Sequence, residues 1–176
     1  MANTLLNFIG FQTGWLVAVL AAARGYPFLG PVCALVGLWL HIRFVSADRA
    51  GELTLIVGAV LIGFVLDSLL VLTGVMAFPP HARLGAPTTF WMLSLWAMFA
   101  ATLRHSLSWL ANRYVLGMAL GAVFGPLAYW AGERLGAIEL TQGSVSLLWV
   151  AFEWSVAMPV LLSIAARCRP VLRRTA

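Results

Sequence analysis

Residues 53–74 read LTLIVGAVLIGFVLDSLLVLTG, an apolar run broken by one charged side chain, Asp67. Crossing the hydrocarbon core of a bilayer takes about 20 predominantly apolar residues in helical form. This stretch meets that length, so it reads as a membrane-spanning helix. Its aspartate is then the anomaly. A carboxylate at the centre of such a helix costs roughly 2.5–3.5 kcal/mol on insertion scales, so it needs shielding, a partner or a proton. Gly63, four residues earlier, leaves space on the same face for a neighbouring helix, which turns Asp67 inward. Ser68 points about 100° away and is a poor local partner.

The rest of the chain supports the same solvent. Of 176 residues, 62% are hydrophobic and 10% charged, against roughly 25% charged in a soluble domain. Six apolar runs fit spans, at 5–23, 28–45, 53–74, 89–106, 114–132 and 144–165, with a basic tail at 166–176. The expected fold is therefore all-α: a polytopic integral membrane protein, one compact bundle of about six transmembrane helices in a single domain. MANTLLNF lacks the basic start of a signal peptide, so the first span is expected to remain, although Ala21-Ala22-Ala23 has the small side chains of a cleavage site. Cys33 and Cys168 lie in an apolar run and a basic tail and suit no disulfide framework.

All eleven basic residues other than histidine are arginines, and they sit at the ends of apolar runs. That placement argues for lipid headgroups and topology signals and against nucleic acid. With six spans, Arg43, Arg49, Arg104, Arg113, Arg167, Arg169, Arg173 and Arg174 share one side, while Arg24, Arg83 and Arg134 take the other. The positive-inside rule then puts both termini in the cytoplasm.

Four groups of residues are candidates for function or packing. Glu153 interrupts the sixth span as Asp67 does the third, at similar depth, on a face with Ser146, Trp149 and Ala157. If the two acids meet, they would share a proton or bind a cation. Asn7 and Gln12 in the first span are possible hydrogen-bond partners for either acid, or simple interhelical glue. Near the cytoplasmic ends, His41 and Arg43 close the second span and Arg104 and His105 the fourth. Snorkelling side chains without a ligand are the first reading of this set, a site for a headgroup or other anion the second, and ligation of a haem by His41 and His105 the third. Gly117, Gly121 and Gly125, each four apart, form a small-residue packing face. Trp91, Trp109 and Trp130 read as interfacial anchors, and Trp39, Trp96, Trp149 and Trp154 as deeper.

No P-loop, HExxH, nucleophile elbow or zinc cluster is recognisable, so an enzyme is the less favoured class and no cofactor is expected. Several segments nonetheless form a pattern: Asn7-Phe8 through Trp15, Gly30-Pro31 through His41, Asp67-Ser68-Leu69-Leu70, Phe90-Trp91 through Trp96, Thr102 through Leu107, and Gly125 through Tyr129. Together they resemble the bacterial domain-of-unknown-function family 2878. The resemblance implies an inner-membrane protein without an assigned activity, often encoded beside lipid-modifying enzymes, notably cyclopropane fatty-acid synthase-like ones. It also gives weight to Asp67, His41 and His105. The leading expectation is a protein that handles a lipid or small hydrophobic substrate, with membrane lipids and lipid-modifying enzymes as partners. The alternatives are a small proton-coupled transporter using Asp67 with Glu153, and a scaffold without chemistry.

Overall fold

The computed structural model describes residues 2–168, so Arg169, Arg173, Arg174 and most of the basic tail lie outside the described residues. Six α-helices follow one another: α1 (Ala2–Ala23), α2 (Leu29–Phe44), α3 (Arg49–Leu72), α4 (Phe90–Leu103), α5 (Tyr114–Arg134) and α6 (Ser144–Arg167). Four of them, α1, α3, α5 and α6, are long and apolar enough to cross a membrane. The other two are apolar but shorter than expected. At 1.5 Å per residue, the 16 residues of α2 and the 14 of α4 reach about 24 and 21 Å.

The two short helices are short in different settings. α4 packs against α1, α2, α3 and α6, and ten of its fourteen residues are buried. A helix enclosed by its neighbours presents little outer surface. In α2 only Gly30 and Ala34 are buried; Leu35, Trp39 and Phe44 project outward, Leu35 at 71% exposure. Comparable exposure at Leu72, Val115 and Leu148 gives the bundle an apolar outer surface, the inverse of a soluble protein.

α5 and α6 pack closely because α5 turns its glycines toward α6. A Cβ on Gly121 would fall 2.5 Å from the Trp154 carbonyl oxygen and 2.6 Å from Met158 Cγ; one on Gly125 would overlap the Trp154 indole. Pro126 lies within α5, which continues as helix through it.

The connection after α3 is more ordered than a simple loop. Strands β1 (Met76–Ala77) and β2 (Glu139–Leu140) pair antiparallel, Met76 opposite Leu140, and a 3₁₀ turn follows at Pro80–Ala82. Met76, Phe78, Ala82, Ile138 and Leu140 pack with Val19, Trp91 and Tyr129 into an apolar plug over this end of the bundle. Trp91 is part of that plug and not an exposed anchor: it is 1% exposed, and its Nε1 donates to the Ala82 carbonyl at 2.9 Å. Trp39 and Trp149 are likewise not deep but largely exposed.

Candidate functional site

The polar side chains gather in two places, separated along α3 by the fifteen-residue step from Glu52 to Asp67, or about 22 Å of helix.

The first place surrounds Asp67, which is fully buried. Trp96 of α4 donates its Nε1–H to Asp67 Oδ2 at 2.8 Å, and the Tyr129 hydroxyl of α5 donates to Oδ1. Both donors are neutral. Gly63 makes the first contact possible, because a Cβ there would overlap the Trp96 indole. Tyr129 arrives by the same register that forms the packing face: it is the next position after Gly117, Gly121 and Gly125 in steps of four. Trp96 stacks on Trp154, ring centroids 4.6 Å apart and planes 10° from parallel. Beside this stack is a cavity of about 70 Å³ lined by Phe11, Trp15, Trp96, Tyr129 and Trp154 among others.

Glu153 is also buried in this region, within electrostatic range of Asp67 and Tyr129. No hydrogen bond joins the two acids, and neither Glu153 oxygen has a partner among the described residues. The face of α6 that carries it includes Ser146, Val150 and Ala157. Trp149 lies outside that face, half exposed.

The amides of α1 do not reach either acid. Gln12 is exposed. Asn7 caps the end of α4 instead: its Nδ2 donates to the Ala101 carbonyl at 3.1 Å, and its Oδ1 accepts from Ser106 N at 3.3 Å and Ser106 Oγ at 2.6 Å. The last carbonyls of a helix lack partners within it, and Asn7 supplies one. It thereby fixes the turn that carries His105.

That turn belongs to the second place, a cluster built around Glu52. Glu52 is 1% exposed and receives His41 Nε2 on Oε1 at 3.1 Å and Arg104 Nη1 on Oε2 at 3.2 Å. His105 Nε2 stands 3.6 Å from the same Oε2. Asp48 begins α3, where its Oδ1 accepts from Gly51 N at 3.1 Å, and its Oδ2 pairs with Arg104 Nη2 at 3.0 Å. The Gly51 N–H, and after it the Arg104 guanidinium, hold the Asp48 carboxyl below its ordinary range. The absent Cβ of Gly51 leaves room for Arg104 Nη1, which would otherwise lie 2.9 Å from it.

This geometry revises the anion site expected from sequence. His41, Arg104 and His105 do converge, but Arg43 is exposed and lies over the Phe44 ring, 5.2 Å from its centroid. Arg104 is already occupied by Asp48 and Glu52. A phosphate would have to displace carboxylates of the chain itself. A haem between the two histidines is excluded by space: their ring centroids are 4.6 Å apart at 88°, too close for a macrocycle between them. Sequence reasoning missed Glu52 and Asp48 because SADRAGE reads as a polar linker, whereas α3 begins at Arg49 and draws Glu52 into the helix. The usable signal was Asp48 in front of an apolar run, an N-cap residue.

A groove of about 480 Å³ between α1, α2 and α4 leads toward this cluster. Leu6, Gly10, Gly37, Phe44 and Met98 line its apolar length, and Asn7 and His41 its polar part.

Fold and site together define an all-helical protein with long apolar helices and two internal polar centres. The chain belongs to the family described as "Protein of unknown function (DUF2878)", whose model matches residues 4–160. Comparison with curated proteins and with solved structures returned no match.

Proposed function

We propose that the protein resides in the bacterial inner membrane with all six helices embedded and both termini cytoplasmic, and that it binds a lipid-like molecule in the groove between α1 and α2. The groove carries this reading. Its volume of about 480 Å³ falls within the roughly 300–1,000 Å³ of small-molecule sites. Its walls include exposed Leu6, Leu40 and Phe44, so an acyl chain could enter sideways, and with Asn7 and His41 Nε2 already engaged by the chain, His41 Nδ1 is the polar atom left for a headgroup. The eight-to-three arginine division supports the orientation; the apolar outer surface of α2 supports its embedding, and the enclosure of α4 by α1, α2, α3 and α6 places it among them.

Gly10 and Gly37 provide the test. Both line the groove, and a Cβ at either would meet nothing within 4 Å. Gly10→Leu and Gly37→Leu should therefore fill the groove without disturbing the bundle. Displacing two or more methylenes at about 0.8 kcal/mol each predicts at least roughly tenfold weaker binding. Native mass spectrometry from phosphatidylethanolamine–phosphatidylglycerol nanodiscs reads the retained lipid. Equal retention by parent and both variants, with unchanged melting, overturns the proposal.

A second reading, proton-coupled transport through Asp67 and Glu153, is favoured by the burial of Glu153 with both oxygens unpartnered among the described residues. Asp67 would be the switch, with Tyr129 and Trp96 reporting its state to α5 and α4.

A further inference from the structure

We infer that His41, Glu52 and His105 form a binding site for a divalent transition-metal ion of the zinc type, with three protein ligands and an open fourth position. This goes beyond the lipid-binding reading and does not depend on it.

Geometry is the first support. A tetrahedral zinc ion holds nitrogen and oxygen ligands at about 2.0–2.2 Å, which places the donor atoms about 3.3 Å from one another. Here His41 Nε2 is 3.1 Å from Glu52 Oε1, and His105 Nε2 is 3.6 Å from Glu52 Oε2. One donor atom from each of the three residues lies within 4.8 Å of the others. The three ligands come from the end of α2, the first turn of α3 and the turn after α4, so the tertiary fold itself has assembled them.

Charge is the second. Asp48 and Glu52 bring two carboxylates against the single guanidinium of Arg104, an excess of negative charge that favours a cation beside Glu52.

Orientation is the third. The buried Nε2 of His105 has no hydrogen-bond partner among the described residues, as expected of a lone pair reserved for a ligand. Asn7 anchors the His105 turn through Ser106, and Arg104 steadies Glu52; metal ligands are commonly held by such outer contacts. The His105 ring as a whole is 21% exposed although its Nε2 is buried, so this ring has to turn only slightly to admit an ion. With His41 also lining the groove, the open position can take water or a ligand oxygen arriving from that side.

The test is a titration of the full chain, purified in detergent without a histidine tag and stripped with chelator, using Co²⁺ as probe. Binding of one ion per chain with the intense d–d absorption of tetrahedral cobalt, displaced by Zn²⁺, is the expected result. His41→Asn, His105→Asn and Glu52→Gln should each weaken it by at least the roughly 10–100-fold that loss of an outer contact brings. His81→Asn, outside the cluster, should not change it. A parent chain that gives no such spectrum overturns the site, as does binding that survives in the His41→Asn/His105→Asn double variant. Should Glu52→Gln fail to fold, His105, the least buried ligand, carries the mutational test.

Discussion

Asp67 accepts from two neutral donors, and this decides which substitutions it tolerates. In Asp67→Asn the amide oxygen can still accept from Trp96 Nε1, while the amide nitrogen donates to a rotated Tyr129 hydroxyl. The fold should survive with a change below about 1 kcal/mol. Asp67→Leu leaves both buried donors unpaired and should cost about 1–3 kcal/mol for each. Thermal unfolding in detergent separates the two; equal loss in both variants would show that the carboxylate's charge, and not its hydrogen bonds, holds the site. If the transport reading is right, Asn folds but loses proton coupling, measured as substrate-driven pH change in proteoliposomes. That Asp67 faces inward follows from Gly63 and the price of a charge in hydrocarbon. Its partners did not follow, since neither Trp96 nor Tyr129 adjoins it in the chain.

At the scale of elements, small residues set how closely helices approach. Gly121 lies against the Trp154 backbone, so Gly121→Leu should force α5 away from α6, destabilise the bundle by about 1–3 kcal/mol and draw Tyr129 off Asp67. The same change at Gly10, which faces open space, should leave the melting temperature unaltered. A pair of melting curves reads the contrast, and similar curves would deny the glycine face its packing role. The spacing by fours was visible in the chain, but the partner helix was not. Nor was the early start of α3, because an acid near a boundary is equally at home in a loop. Asp48 was the one signal in the chain for that start, and the structure shows both its uses: one oxygen caps α3 and the other pairs with Arg104 from the end of α4.

For the whole molecule, the alternation of six helices brings Asn7, His41, Glu52 and Arg104 to one end and the β1–β2 plug to the other. A cytoplasmic reporter at the carboxyl terminus should be active and a periplasmic one silent; the reverse would turn the metal cluster outward and end the proposed orientation. The sequence by itself determined the apolar helices, the inward turn of Asp67 and the glycine face of α5, because each follows from local periodicity and from the solvation of single side chains. Only tertiary structure decided that Asn7 serves α4, that Gln12 serves neither acid, that Arg104 is already paired, and that Glu52 lies between two histidines. Those are contacts between residues as many as 99 positions apart, and no local pattern encodes which helix ends meet.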